Sequence, residues 1–120
     1  MEAAAFGETL QTGELEIRPD EFTASAGGEP LPLTPRELAL LTALVRRQGR
    51  IVSRAELYST VWRRPFDGDN RSVDVYVGKL RQKLDRALPG RRLIHTHFGF
   101  GYRFSAETAL QVFHTEATDR

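Results

Sequence analysis

The chain has no cysteine, one tryptophan and one methionine in 120 residues. The missing cysteine removes disulfides, thiolate nucleophiles and cysteine-based zinc sites together, and it fits a reducing cytoplasm. No apolar run approaches the roughly 20 residues that a membrane helix needs. The opening MEAAAFGETL lacks the basic and apolar regions of a secretory signal. No G-x-S-x-G elbow occurs, nor a carboxylate pair at helical spacing in a plausible pocket, so the chain reads as a non-enzyme. What is present suits one domain: 40% hydrophobic residues, enough for a core, and 28% charged.

A net charge of +1 conceals a strong asymmetry. Met1 to Glu37 holds eight acids and two arginines, −6; Leu38 to Phe104 holds fourteen Lys and Arg against five acids, +9; the remainder carries −2. The middle of the chain is suited to a polyanion and the start is not. Solvated helix faces are the alternative meaning of such a count.

Local patterns divide the chain. LEIRP alternates with period two, EFTASA favours strand, and Gly27-Gly28 closes a hairpin. PLPL allows only an edge strand or a strand end. The pattern then turns helical at TPRE, a capping box with Thr34 as N-cap, Pro35 at the first helical position and Glu37 reaching back. Leu38, Leu41, Leu44 and Val45 follow at helical spacing, and Gly49 is a stop. SRAE repeats the box at Ser53, with Leu57, Val61 and Trp62 on the apolar stripe. The connector GRIV implies a sharp turn between these helices. WRRPFDGDNR reads as a loop, in which Asp67 and Asp69 are turn and cap residues.

The spacing predicts a third helix from about Arg71 to Leu88, ended by Pro89-Gly90. Val73, Val77, Leu80 and Leu84 form its core stripe. Its opposite arc carries Arg71, Val75, Gly78, Lys79, Gln82 and Arg86, with no acid near its centre. A basic, partly apolar face on a helix pinned by its other side suits the major groove of duplex DNA.

HTHFGFGYRF, from His95 to Phe104, follows as strand, glycine turn and strand. Its G-x-G precedes a strand rather than a helix, so it is not a phosphate cradle. His95 and His97 share one face of a strand but lack further ligands nearby, so no metal and no cofactor is assigned. Tyr102 and Phe104 read as hairpin anchors. The segment 105–120 is assigned no structure, and residues 1–12 are a candidate linker.

In order, LPLTPRELALLTAL, GRIVSRAEL, NRSVDVYVGKLRQKL and LIHTHFGFGYRF resemble the winged-helix effector domains of OmpR/PhoB-type response regulators, over roughly Leu15 to Phe104. The resemblance implies an α+β winged helix-turn-helix over residues 1–104: an N-terminal antiparallel β-meander, three helices and a C-terminal hairpin wing. It implies sequence-specific binding of double-stranded DNA by an effector domain of a bacterial two-component-type regulator in the cytoplasm. Ser72, Val75, Tyr76 and Lys79 are then expected near bases, and Arg71, Arg81, Lys83 and Arg86 on phosphates. The wing, with His95, His97, Phe98, Gly99 and Gly101, is expected at the minor groove. The loop with Arg63, Arg64, Phe66 and Asp67 is expected to meet RNA polymerase. Tandem binding to promoter direct repeats follows, and no membrane partner. The residue matching Asp74 is usually structural.

Two positions depart from the family pattern. Phe98 stands near where the wing often carries an arginine, and Gly78 where a long polar side chain is common. Phe98 reads either as an apolar wedge or as packed on its own hairpin. Regulators of this type carry a receiver domain ahead of the effector, and no such pattern precedes the meander. The alternative functional reading is a winged-helix protein-interaction module with weak, non-specific DNA binding.

Overall fold

The computed structural model describes residues 7–106 and 108–115. Strands β1 (Gly7–Thr12), β2 (Leu15–Arg18), β3 (Thr23–Ala26) and β4 (Glu29–Pro30) form an antiparallel meander. Helices α1 (Pro35–Arg46), α2 (Arg54–Trp62) and α3 (Asn70–Ala87) follow. Strand β5 (Ile51–Val52) lies between the first two helices, and β6 (Ile94–His97) and β7 (Gly101–Phe104) form a hairpin after the third. A last strand, β8 (Gln111–Thr115), returns to the meander. The fold is α+β, with a five-stranded sheet ordered β4-β3-β2-β1-β8 and a three-stranded sheet ordered β5-β7-β6.

Pleat alternation explains the first sheet. Leu10, Ile17 and Ala24 lie opposite one another across β1, β2 and β3, and all are buried. Thr12, Leu15 and Ala26 form a second buried row. The side chains between these rows, Glu16 and Ser25 among them, face outward. Helix α1 begins at the expected capping box: Thr34 Oγ1 accepts the Glu37 amide, and the Glu37 carboxylate accepts the Thr34 amide at 2.8 Å. Its burial runs almost around the helix, through Leu38, Leu40, Leu41, Ala43, Leu44 and Val45. One core joins it to Leu57 and Tyr58 of α2, Val73, Val77, Leu80 and Leu84 of α3, and Tyr102 and Phe104 of the hairpin.

Four local expectations change. The described part of the candidate linker is β1, an interior strand with Leu10 buried. Part of the segment left without structure is β8, antiparallel to β1 from Gly7↔Thr115 to Gln11↔Gln111. The GRIV connector is more than a turn, because Ile51 and Val52 pair with Arg103 and Tyr102. At α2 only half of a capping box forms: Ser53 Oγ accepts the Glu56 amide, while the Glu56 carboxylate is held by Arg47 and Arg50. Two arginines within reach outcompete the backbone donor for one carboxylate.

Candidate nucleic-acid interface

Helix α3 is anchored on one side and open on the other. Asp69 caps it, accepting the Ser72 amide at 3.0 Å and the Ser72 hydroxyl at 2.5 Å. Val73, Val77, Leu80 and Leu84 hold the inner stripe in the core. Arg71, Val75, Gly78, Lys79, Gln82 and Arg86 are exposed on the outside. Arg71, Lys79 and Arg86 have no ion pair among the described residues. Ser72 sits at the start of this face, half-buried, with its hydroxyl proton directed to Asp69.

Tyr76 leans from this face toward α2. Its ring meets Trp62 edge-on at 5.6 Å, and Trp62 stacks on Tyr58 at 5.0 Å. Cations lie over the aromatic row: the Lys79 ammonium lies 5.1 Å from the Tyr76 ring at its end and the Arg36 guanidinium 4.7 Å from Trp62 at its middle. Trp62 is therefore a half-buried bridge between helices, held by stacking and cation–π contact.

Two expected phosphate ligands are engaged elsewhere. Arg81 donates to the Ile94 carbonyl (3.0 Å) and to Thr96 Oγ1 (2.7 Å), tying α3 to the hairpin. Lys83 points toward α1, donating to Glu37 Oε1 and to the Pro32 carbonyl, each at 2.7 Å. The spacing placed both residues on α3 correctly but did not show that neighbouring elements carried acceptors to meet them. Burial pushes the Glu37 carboxyl up, yet the hydrogen bonds from Lys83 and the Thr34 amide, with the Lys83 charge, hold it below its ordinary value.

A second tie joins three elements. Asp74 of α3 accepts from Arg54 Nε of α2 at 2.8 Å and from the Tyr102 hydroxyl of β7. Burial and the neighbouring Asp74 carboxylate both raise the Tyr102 hydroxyl's pKa, so it remains the donor. Guanidinium groups of Arg54 and Arg81 lie 5.2 and 5.5 Å from the Tyr102 ring. Arg54 drew no attention in the sequence, because a partner 20 residues away leaves no periodic signal.

The hairpin thus stands fixed beside α3. Gly101 (φ +144°) marks where β7 comes closest to its neighbour β5: a Cβ there would lie 2.0 Å from the Val52 carbonyl oxygen. His95 and His97 are half-buried on one face, and His97 Nε2 accepts from Arg103 Nε at 3.1 Å. At the tip, Gly99 (φ +82°) allows the turn, and Phe98 is 86% exposed. Phe98 does not pack on its own hairpin. Between α3 and β6 lies a cleft of about 460 Å³ whose lining includes Arg81, Asp85, Arg91, Arg92 and His95. Arg91 and Arg92 were visible as a pair in the sequence, but their place beside the helix was not.

In the loop after α2, Arg63 ends the helix in a left-handed turn (φ +59°) and is exposed, as is Asp67. Phe66 is half-buried, its ring edge-on to Tyr58 at 5.5 Å, and Arg64 Nε donates to the Tyr58 hydroxyl at 2.8 Å. Half of the residues expected at a partner surface therefore hold the loop against α2.

A helical core that presents one basic helix, flanked by a hairpin locked to it and capped by a β-meander, is a winged helix-turn-helix. The chain belongs to the family described as transcriptional regulatory protein, C terminal, whose model matches residues 28–104. Its relatives are OmpR/PhoB-type response regulators. It is 41% identical over 91 residues to the alkaline phosphatase synthesis regulator PhoP of Bacillus subtilis, covering 76% of this chain and 38% of that protein. With AfsQ1 of Streptomyces coelicolor it shares 43% over 96 residues, 80% of this chain and 43% of that protein. The chain thus spans about two-fifths of the length of these curated relatives. Among solved structures it resembles the DNA-binding domain of CpxR from E. coli (TM-score 0.73, 31% identity, 82% of this chain and 96% of that one). It also resembles the DNA-binding domain of Klebsiella pneumoniae RstA in complex with the RstA box (TM-score 0.72, 32% identity, 81% and 96%).

Proposed function

We propose that this domain binds double-stranded DNA sequence-specifically, as the effector of a bacterial two-component-type transcription regulator in the cytoplasm. The observation that carries this is the outer face of α3: exposed Arg71, Val75, Lys79, Gln82 and Arg86 surround Gly78, on a helix whose other side is fixed in the core. In a major groove, Lys79 and Gln82 offer donors to base edges and Val75 an apolar contact for a thymine methyl. Ser72 and Tyr76 flank that centre. Arg71 and Arg86 at the ends, with Arg92 beside the hairpin, meet phosphates, which position without specifying. The hairpin lies along the adjacent minor groove.

One such module presents a small surface, so two protomers in tandem on direct repeats about one helical turn apart fit the reading. Arg63 and Asp67, exposed on the loop after α2, are the residues offered to RNA polymerase.

Selecting sites from a random duplex pool at two salt concentrations tests the proposal. A short enriched element, repeated every ten or eleven base pairs or so, supports it. Binding that vanishes with salt and enriches nothing leaves only a backbone interaction and favours a protein-docking module. Lys79→Ala should cost about 1–3 kcal/mol on the selected site and little on random DNA; equal losses on both would remove Lys79 from base reading.

A further inference from the structure

The tip of the hairpin carries two aromatic rings that nothing among the described residues covers. Phe98 is 86% exposed and Phe100 73%. They flank Gly99, and the turn is closed by the Phe100 amide donating to the His97 carbonyl at 2.9 Å. Below the tip, the β6–β7 ladder runs from His97↔Gly101 to Ile94↔Phe104. Arg81 and Asp74 fasten that ladder to α3. The rings therefore project from a rigid base at a set distance from the groove-facing helix.

Exposure alone does not identify a contact. Phe22 is 78% exposed as well, but it follows Asp20 and Glu21 in the acidic part of the chain. The wing differs in its setting: Arg91 to Phe104 holds three arginines and no acid, with Arg91 paired to Glu14 and Arg92 unpaired among the described residues. An apolar tip on a cationic arm fits a polyanion with an apolar interior, which duplex DNA has and a soluble protein surface rarely does.

Resting on the DNA-binding reading above, we propose that Phe98 and Phe100 enter the minor groove as an apolar wedge and partly unstack one base step. The wing then reads deformability rather than charge. Flexible pyrimidine–purine steps, TA or CA/TG, open most easily, so the site carries such a step where the tip falls, and the duplex bends away from it. Because no ion is displaced by a phenyl ring, this part of the affinity does not respond to salt.

The test uses the selected duplex with 2-aminopurine beside the step under the tip, and four proteins: the parent, Phe98→Ala/Phe100→Ala, Phe98→Arg and Phe22→Ala. Both tip side chains are exposed, so the double variant keeps its fold. The wedge predicts brighter 2-aminopurine with the parent and not with the double variant. It predicts a loss of about ten- to a hundredfold in affinity for the double variant at every salt concentration, the worth of burying apolar rings. The slope of log K against log salt stays unchanged in the double variant and steepens by about 0.9 in Phe98→Arg, one extra phosphate's worth. Phe22→Ala binds as the parent does. A double variant that binds the enriched element as tightly as the parent overturns the wedge and leaves the DNA reading intact. So does one that loses only cooperativity between protomers, which would assign the rings to a protein contact. A parent that enriches no element overturns both.

Discussion

The two sheets are both antiparallel and close on one core, yet the cations around them are matched to acids to different degrees. Around the five-stranded sheet, cations are matched to acids: Arg46 with Glu8, Arg18 with Glu16 and Glu21, and Arg91 with Glu14. Around α3 and the three-stranded sheet, Arg71, Lys79, Arg86 and Arg92 have no acidic partner among the described residues. The +9 read from residues 38–104 therefore overstates the surface offered to a polyanion. Arg81 and Lys83 add to the count but tie the helix to its neighbours. Position, more than number, decides which charges a ligand meets.

The largest expected effect comes from breaking the three-stranded sheet at its tightest point. Gly101→Ala puts a methyl against the Val52 carbonyl, a backbone atom that cannot swing aside, at a φ that alanine disfavours. The cost should be about 4 kcal/mol or more, among the largest for a single substitution, read from urea unfolding. Since β5, β7 and the Asp74–Tyr102 tie move together, DNA affinity should fall even in the fraction that stays folded. A loss under about 1 kcal/mol would mean that the wing is not packed against β5 as described.

Lys83 and Lys79 sharpen the contrast between engaged and available cations. Lys83→Met removes the partner of Glu37, which is 2% exposed, and should destabilise by about 3 kcal/mol. Specificity for the DNA site should not change. Lys79→Ala should do the reverse: stability within about 0.5 kcal/mol, specificity reduced. The pH dependence follows from Glu37. Its folded pKa lies below the ordinary 4.5, so its contribution is full above that value and is lost as pH falls through the lower folded one. In Lys83→Met burial acts with less opposition, the folded pKa rises, and this acid loss flattens. Denaturant unfolding between about pH 3 and 7 reads both outcomes.

Much of this arrangement was legible in the sequence wherever one helix turn or one strand period was enough. Thr34, Pro35 and Glu37 announced α1, and the Val73–Leu84 stripe announced which side of α3 is buried. The outer face, with Arg71, Val75, Lys79 and Arg86, followed from the same periodicity. Contacts between distant segments were not legible. Nothing local in GRIV shows that it pairs with β7, and nothing in QVFHT shows that it adds to β1, since strand pairing depends on what edge is available. The same limit hid the partners of Arg81 and Lys83, whose acceptors are 13 and 46 residues away. Phe98 is the opposite case: only the fold could show that none of the described residues packs on it.

The smallest effect tests Gly78 against Gly101. A Cβ on Gly78 meets nothing among the described residues within 4 Å and its φ is ordinary for a helix, so their packing does not require glycine there. Alanine should therefore raise stability by up to about 1 kcal/mol, the helix-propensity difference between the two residues. Position 78 lies between Val75 and Lys79 at the centre of the open face, where DNA would be nearest. If the helix axis sits deep in the groove, the added methyl meets a base edge or sugar, and Gly78→Ala binds the selected duplex more weakly despite folding more stably. Stability and affinity then move in opposite directions, which neither a structural defect nor a distant surface change produces. If both rise together or affinity is unchanged, the helix rides higher in the groove, and Lys79 and Gln82 reach the bases by the length of their side chains.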